Sequence, residues 1–430
     1  MKKILTIVIA LALVAAAAIG LVACNGDGLK DANAVAIPAL EGMEVADYSD
    51  LQIPANFKIG LICLHDESST YDLNFINATK AAVKALGLSE KDNLIIKTNI
   101  DEKAVCYTTA ADLVSQGCSV IFADSFGHEP FMKQAAQDFP TVEFCHATGT
   151  SAHTSNLTNF HNAFASIYEG RYLAGIAAGM KLNEMIEAGK ITANQAVIGY
   201  VGAFTYAEVI SGYTSFYLGA KSVCPSVTMK VQFTGSWYSV KDEKEAAENL
   251  IKNQNCVLIS QHADSMGAPN ACEAAGVPNV SYNGSTIEAC PNTFIISSRI
   301  DWTPYVKYII AQTVKGEDIA VDYVGSLKDG SVALTDINGD VMAEGTVEAI
   351  VEARAALVAG TLEVFDVTKD NYILKNGQKM TSYIADVDDF GDYVPETEVV
   401  ENGAIKESKF RSAPYFQETI DGITLLNSAY

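Results

Sequence analysis

Hydrophobic and polar positions alternate in a recurring pattern, which is clearest between residues 58 and 82. An apolar, β-branched run at residues 59–64 precedes a polar cluster, and apolar residues then recur at helical spacing through Leu73 and Ile76. This order predicts a strand, a loop and a helix. Ligands bind beyond the carboxyl ends of the strands in an open α/β sheet, so we expect the loop at residues 65–74 to face a cleft.

The same alternation of apolar runs and periodic segments continues along the chain. It predicts parallel sheets covered by helices on both faces, which is an α/β fold. It restarts near residue 196, so we expect two doubly wound, Rossmann-like lobes joined by a hinge. The further predicted strands are residues 93–98, 119–123, 141–146, 196–202, 228–233, 256–260, 277–282 and 294–298.

The longest helix candidate covers residues 162–180. Small residues recur there at four-residue spacing, at Gly170, Ala174 and Ala178, which lets another backbone approach closely. Charged residues interrupt the apolar run, and it is too short to span a membrane. We therefore expect this helix to pack closely against a sheet or a partner helix inside the body.

These elements lead to a division of the chain into lobes. We expect lobe I to comprise residues 57–160 and about 290–320, and lobe II to comprise residues 161–289. Residues 321–369 then form a C-terminal segment of the two-lobe body, and residues 370–430 form an irregular acidic appendage on one lobe. Two lobes with several chain crossings between them predict a hinge that closes on a ligand.

The N-terminus has the features of a bacterial lipoprotein signal. Two lysines precede an apolar run, and small residues lead to Cys24 at the position expected for cleavage. We expect residues 1–23 to be removed, Cys24 to carry lipid, and residues 24–56 to tether the body to the outer face of the cell membrane. An uncleaved membrane helix is the weaker alternative, because small residues crowd the end of the run.

Composition removes several classes of partner and reaction. The formal net charge is −23, so the protein offers no basic surface to nucleic acid, and we expect no nucleic-acid partner. The sequence contains no nucleophile elbow, phosphate-binding loop or zinc-protease motif, so we expect no enzyme activity, no catalytic residues and no cofactor. The eight cysteines besides Cys24 have no CxxC spacing, which weakly favours free thiols over disulfides.

A metal site is a weaker prediction than a binding cleft for a neutral solute. The six histidines show no helical ligand spacing, so no metal ligands are assigned, although His65 and His262 follow strands in different lobes and are candidates to hydrogen-bond a ligand. Flat rings with a few polar groups suit a heteroaromatic ligand. Aromatic candidates at loop positions are Tyr71, Phe126, Phe204, Trp237 and Trp302, and carboxylate candidates are Asp124, Asp264 and Asp301.

The chain resembles the basic membrane protein family of substrate-binding lipoproteins, also called PnrA-like, over roughly residues 58–360. The sequence EGRYLAGIAAGM at residues 169–180 is the most specific motif, and IGYVGAF, GYTSFYLGAK, TGSW and SSRIDW support it. The resemblance implies a type I periplasmic-binding-protein fold without catalysis. It also implies a monomer that captures a purine nucleoside by hinge closure and delivers it to an ABC permease and its ATPase.

The resemblance also implies a set of ligand-binding residues. In the first loop, where family members often have a Phe-Asn pair, this chain has Leu73-Asn74, and Tyr71 nearby is a candidate for the stacking ring. Arg299 stands where many members have lysine, which favours bidentate contacts and a different solute. The complete set is Tyr71, Asn74, Asp124, Phe126, Phe204, Trp237, Asp264, Asn283, Gly284, Arg299 and Trp302.

Two other functions remain open from the sequence. One is a lipoprotein that senses another small solute, such as riboflavin or a sugar, and signals to a membrane partner. Such a protein has the same fold and cleft. A metal-binding lipoprotein is the other alternative.

Overall fold

The computed structural model describes residues 34–40, 42–388 and 395–430. The predicted signal peptide and Cys24 lie outside the described residues. In chain order the strands are β1 (Ala34–Val35), β2 (Ile59–Ile62), β3 (Leu94–Lys97), β4 (Val120–Ala123), β5 (Glu143–Ala147), β6 (Phe160–Ala165), β7 (Val197–Gly202), β8 (Thr228–Phe233), β9 (Leu258–Gln261), β10 (Asn279–Tyr282), β11 (Phe294–Ile300), β12 (Asp322–Gly325), β13 (Val332–Leu334), β14 (Ile337–Asn338), β15 (Leu374–Lys375), β16 (Gln378–Lys379), β17 (Ile384–Ala385), β18 (Thr397–Glu398), β19 (Val400–Glu401), β20 (Ala404–Ile405) and β21 (Ile423–Leu425).

Helices follow most strands of the body, as the alternation predicts. The α-helices are α1 (Thr70–Ala85), α2 (Glu90–Asn93), α3 (Ala104–Ser115), α4 (Glu129–Asp138), α5 (Ala152–Ser155), α6 (Ile167–Glu187), α7 (Ala207–Val223), α8 (Val240–Lys252), α9 (Gly267–Ala275), α10 (Thr303–Lys315) and α11 (Thr346–Val358). No helix in the described part of the chain combines the length and apolar character needed to cross a membrane.

Two large sheets form the cores of the two lobes. The six-stranded sheet of lobe I has the order β12-β6-β5-β4-β2-β3, and the seven-stranded sheet of lobe II has the order β13-β11-β10-β9-β7-β8-β21. Neighbouring strands run parallel, except that β13 is antiparallel to β11. Strands such as β2 and β4 are buried at every residue, as expected for parallel strands covered on both faces.

The chain crosses between the lobes three times, after β6, after β11 and after β12. These crossings correct two sequence predictions. Residues 160–165 form a strand of lobe I instead of the start of a helix, and residues 294–300 form a strand of lobe II, although they were assigned to lobe I. Apolar runs of this kind fit a buried strand or a buried helix equally well.

The long helix α6 packs closely against α7, as its small residues predict. A Cβ atom added at Gly175 would lie 2.1 Å from the carbonyl oxygen of Phe216, and one at Gly219 would lie 2.0 Å from that of Tyr172. The glycines on both helices therefore allow the two backbones to touch, which fixes α6 to lobe II.

The segments before and after the two-lobe body are integrated into it. Strand β1 pairs with β14, and Glu44 N–H donates to the carbonyl of Lys328, so the chain contacts the body from Ala34 and is not a free tether there. Strand β21 extends the lobe II sheet beside β8. The described part of residues 370–430 therefore contributes a strand to the sheet of lobe II.

Candidate functional site

A cavity lies between the lobes, where loops that follow parallel strands meet, and its space amounts to about 380 Å³ with open solvent at its mouth included. Lobe I contributes the loops after β2, β4 and β5, and lobe II contributes the loops after β7, β8 and β9 and the end of β10. This is the position at which open α/β sheets bind ligands. The lining residues are Leu64, His65, Tyr71, Asp72, Ser125, Phe126, Thr148, Glu208, Trp237, His262, Asp264 and Tyr282.

Four of the eleven predicted ligand-binding residues line this cavity: Tyr71, Phe126, Trp237 and Asp264. Both lobes contribute to this group, so the cavity is closed only when the lobes approach each other. The other seven predicted residues occupy positions behind the cavity, at its rim or in the core. These are Asn74, Asp124, Phe204, Asn283, Gly284, Arg299 and Trp302.

The first turn of α1 points Tyr71 and Asp72 at the cavity. Ser69 caps the helix, its hydroxyl accepting the Asp72 N–H at 3.3 Å. The Tyr71 hydroxyl donates to the carbonyl of Asp124 at 2.7 Å, and the Asp72 carboxylate accepts the His65 N–H at 2.7 Å. Tyr71, the candidate for the stacking ring, therefore lines the cavity, whereas the polar group beside it is Asp72 and not Asn74, because the helix begins at Thr70.

Asn74 lies behind the cavity and contacts the opposite lobe. Its side-chain amide lies 3.5 Å from the Asn283 Oδ1, and the Asn283 amide donates to the Asp264 carboxylate at 3.1 Å. Thr70 adds a backbone bond of 3.3 Å to the carbonyl of Asp264 and lies against Gly284. Asn74, Asn283 and Gly284 thus join the two lobes and position Asp264, without lining the cavity themselves.

Phe204 belongs to an aromatic cluster at the rim on the lobe II side. Its ring stacks on Tyr206 at 5.2 Å and meets the edge of Trp237 at 5.0 Å. Tyr206 in turn lies 5.4 Å from Phe126 of lobe I. Phe204 therefore supports the orientation of Trp237, which lines the cavity.

Two predicted site residues, Trp302 and Arg299, lie away from the cavity. Trp302 is buried in the core of lobe I, where its ring stacks on Phe75 at a centroid distance of 4.5 Å. Arg299 lies on β11, opposite Ala333 of β13, and its guanidinium lies 3.4 Å from the Asp301 carboxylate. The structure does not bring these two side chains to the cavity, because Arg299 lies within β11 beside β13 and Trp302, just before α10, packs in the core of lobe I.

A buried arginine that the sequence analysis did not assign supports the lobe II wall. Arg171 lies over the Tyr282 ring at 3.2 Å from its centroid and donates to the Gln261 carbonyl at 2.9 Å. It also lies 3.0 Å from His262 Nδ1. Arginine has no acceptor, so Nδ1 accepts this bond and Nε2 carries the proton, which faces Glu208 at 3.3 Å. The sequence did contain a signal for Arg171, because it is a charged residue inside an apolar helix and a buried charge needs partners.

The carboxyl groups of the cavity have opposite tendencies to ionise. Burial opposes ionisation of Asp72, but hydrogen bonds from His65 and Ser69 outweigh it and hold its pKa below the ordinary value. Burial, reinforced by Asp72, raises the pKa of Asp264 well above the ordinary range, and it does the same for Asp124 behind the cavity. The site therefore combines a carboxyl group that ionises readily with carboxyl groups whose ionisation burial opposes, an arrangement suited to a ligand with both donors and acceptors.

One group of side chains beneath the cavity has donor atoms suited to a metal. Those of Cys63, Asp72 and Asp124 lie within 4.8 Å of one another. Burial, with Asp124 and Asp72 beside it, raises the pKa of the Cys63 thiol well above the ordinary value. A metal binds the thiolate form of cysteine, and the raised pKa opposes formation of that thiolate. These three side chains therefore do not favour metal binding.

His65, Asp72, Ser125, Thr148, Glu208, His262 and Tyr282 line the cavity but were not among the predicted site residues. The two histidines had been considered as hydrogen-bonding candidates because they follow strands. Glu208 lies in the first turn of α7 and Asp72 in that of α1. The shared signal was an acidic residue in the first turn of a helix that follows a parallel strand.

Comparison with known proteins places these features in a family. The family model for the ABC transporter substrate-binding protein PnrA-like matches residues 59–368. A purine-binding protein of Brucella abortus is 29% identical over 328 residues, covering 73% of this chain and 87% of the relative. A protein of Haloferax volcanii named as an ABC transporter glucose-binding protein is 31% identical over 275 residues, covering 63% of this chain and 65% of the relative.

Solved structures share the fold at low sequence identity. A solute-binding protein from Conexibacter woesei superposes with a TM-score of 0.57 at 19% identity, covering 71% of this chain and 98% of the other. One from Aeropyrum pernix gives a TM-score of 0.60 at 16% identity, covering 74% and 94%. These neighbours confirm the type I periplasmic-binding-protein fold, and they are solute-binding proteins, not enzymes. The chain belongs to the PnrA-like family of ABC transporter substrate-binding proteins.

Proposed function

We propose that this protein captures a purine nucleoside between its two lobes and delivers it to an ABC permease and its ATPase. The observation that carries the proposal is the lining of the cavity. Tyr71, Phe126 and Trp237 offer flat apolar surfaces to a base, and Asp72 and Glu208 offer acceptors to ribose hydroxyls or base N–H groups. The purine-binding relative from Brucella abortus supports this choice.

The described lining of the cavity disfavours an anionic ligand. Among the described residues that line the cavity there is no lysine or arginine, while three carboxyl groups face it. A phosphate group would meet these carboxyl groups without a counter-charge. The proposal is therefore a nucleoside and not a nucleotide.

A sugar is the second candidate, because the Haloferax volcanii relative is named as glucose-binding. Carboxylates and aromatic faces suit sugar hydroxyls and ring C–H groups as well as they suit ribose. The three aromatic side chains that line the cavity, which come from both lobes, favour a planar base.

Isothermal titration of the chain from Asn25 onward with adenosine, guanosine, adenine and glucose tests the proposal. We expect at least one purine nucleoside to bind and to raise the melting temperature, since a ligand that binds only the native state stabilises it. Adenosine 5′-monophosphate is the control and should bind more weakly. Binding of glucose with no response to any nucleoside would contradict the proposal and favour the sugar alternative.

We further propose that Cys24 carries the lipid that holds the protein at the outer face of the membrane. In a bacterial host, the Cys24→Ser variant should move from the membrane fraction to the soluble fraction and lose incorporated palmitate. Ser69→Ala, far from the N-terminus in sequence, is the control. Retention of Cys24→Ser in the membrane fraction would contradict lipid anchoring.

A further inference from the structure

A second, larger chamber lies beside the cavity between the lobes. Phe126, Thr148 and Glu208 line both spaces, so the two are neighbours. The outer chamber encloses about 1040 Å³, open solvent at its mouth included. A solute bound in the inner cavity therefore has space beside it into which an added group can extend.

The far wall of this chamber comes from the C-terminal segment. Asp386, Ala413, Pro414, Gln417 and Tyr430 line it. All five residues lie beyond residue 368, where the match to the family model ends. This wall is thus a feature of the present chain that the matched domain does not include.

Hydrogen bonds hold this wall against lobe II. Ala429 and Thr205 exchange two of them, from the Thr205 N–H to the Ala429 carbonyl at 2.7 Å and from the Ala429 N–H to the Thr205 hydroxyl at 2.9 Å. The Asn427 side chain pairs in the same way with the backbone of Phe233, at 2.8 Å for both bonds. The end of the chain is therefore fixed beside the mouth of the cleft.

The same wall is also held against lobe I. The Ser412 N–H and hydroxyl both donate to the Asp322 carboxylate at 2.7 Å. Buried Arg411 donates to the carbonyls of Ala413 and Pro414 at 3.1 and 2.8 Å, which sets the shape of the turn that faces the chamber. Because hydrogen bonds hold the C-terminal segment against both lobes, it forms a fixed wall of the chamber.

The chamber has the chemistry of a site for a hydroxylated, uncharged group. Threonine hydroxyls and the exposed amide of Gln417 offer hydrogen bonds, and the rings of Phe126 and Tyr206, packed together at 5.4 Å, add apolar surface. Among the described residues that line it there is no lysine or arginine, and the carboxylates of Glu208 and Asp386 oppose an anion. Sugar rings combine hydroxyl edges with apolar C–H faces, which is what this lining accommodates.

We propose that the C-terminal segment forms an outer subsite that binds a second sugar unit, so that the preferred solute is a glycosylated nucleoside and not the bare nucleoside. The inner ring system occupies the cavity between Tyr71 and Trp237, and the added sugar contacts Gln417. This inference rests on the proposed nucleoside function and deepens it.

Titration calorimetry with adenosine, 2′-O-ribosyladenosine and 5′-O-ribosyladenosine tests the subsite, the two isomers covering both directions in which the ligand can point. We expect one isomer to bind at least about 10-fold more tightly than adenosine, since a few added hydrogen bonds are each worth about 1 kcal/mol. Gln417→Trp narrows the chamber and should reduce this preference for the ribosyl ligand by about 10-fold. Gln378→Trp changes an exposed glutamine of the same segment outside the chamber and should leave the preference unchanged.

The outcomes separate the subsite from the nucleoside assignment. Adenosine and both ribosyl isomers binding equally, with no change in Gln417→Trp, would overturn the outer subsite and keep the nucleoside function. If no nucleoside binds and glucose does, the nucleoside function fails. In that case, comparing the affinities of the protein for maltose and for glucose tests the chamber, and equal affinities would overturn the subsite as well.

Discussion

At the scale of single residues, the two tryptophans of the chain have different roles although both follow strands. Trp237 is half-buried, lines the cavity and contacts the Phe204 ring. Trp302 is 2% exposed and packs among Phe75 and Phe122 in lobe I. The first is free to meet a ligand ring, whereas the second contributes to the unfolding free energy.

Replacing each tryptophan with alanine separates these roles. Trp237→Ala should weaken adenosine binding by about 30-fold, because loss of an interface aromatic costs about 2 kcal/mol. Trp302→Ala should lower the unfolding free energy by about 3–5 kcal/mol through the cavity it leaves. Titration calorimetry and urea unfolding measure the two effects. Unchanged stability in Trp302→Ala together with lost binding would contradict the core assignment.

At the scale of elements, the contact between α6 and α7 depends on glycines that leave no space for a side chain. Cβ atoms added at Gly175 and Gly219 would lie 2.1 and 2.0 Å from backbone carbonyl oxygens, well inside van der Waals contact, and backbone cannot rotate away as a side chain can. Helix α6 begins directly after the first crossing between the lobes. Its position therefore influences how lobe II is placed relative to lobe I.

Gly175→Ala should destabilise the protein despite the better helix propensity of alanine. Pushing the helices apart costs about 1–3 kcal/mol, which outweighs the gain of about 1 kcal/mol from removing a helical glycine. Thermal unfolding followed by circular dichroism measures the net change. Ser222→Ala, at an exposed position near the end of α7, is the matched control and should change the melting temperature little. A melting temperature of Gly175→Ala at or above that of the wild type would refute the close contact.

At the scale of the whole molecule, the C-terminal segment contributes to both lobes and contains a buried acid. Glu407 accepts hydrogen bonds from the hydroxyls of Ser211 on α7 and of Ser408. Burial raises the pKa of Glu407 to about 7, against an ordinary value of 4.5, although the two serines and Arg411 oppose the shift. The folded protein therefore keeps this proton over a range of pH in which the unfolded chain has released it.

The sign of the pH dependence follows from this difference. The stabilisation from Glu407 is complete below about pH 4.5 and is lost as pH rises through about 7, because only the unfolded chain releases the proton within that window. The melting temperature of the wild type should fall as the pH rises from about 4.5 to about 7. The melting temperature of Glu407→Gln should fall less steeply over the same range, because its amide does not titrate. Glu396→Gln, at an exposed position of the same segment, should follow the wild type. Equal slopes for all three proteins would show that Glu407 does not hold a proton in the folded state.

Much of the fold was accessible from the sequence because its signals are local. The apolar run of β2 and the helical period of α1 lie within thirty residues of each other, and each repeats in the second lobe. The motif at residues 169–180 indicated the family, which the match over residues 59–368 confirmed. Tyr71, Phe126, Trp237 and Asp264 were found because each follows a predicted strand, and such loops meet at the cleft.

The remaining features were decided by contacts between distant parts of the chain. The cavity contains Asp72 and not Asn74, because the first turn of α1 directs Tyr71 and Asp72 at the cleft, and hydrophobic spacing does not determine which residues of a first turn face a ligand. The same apolar pattern allowed β11 to join either sheet, and pairing with β10 decided it. By itself the sequence determined the alternation of elements, the two lobes and the family. Only the tertiary structure decided which side chains share the cavity and that the last strand, β21, lies beside β8, because those contacts join residues far apart in sequence.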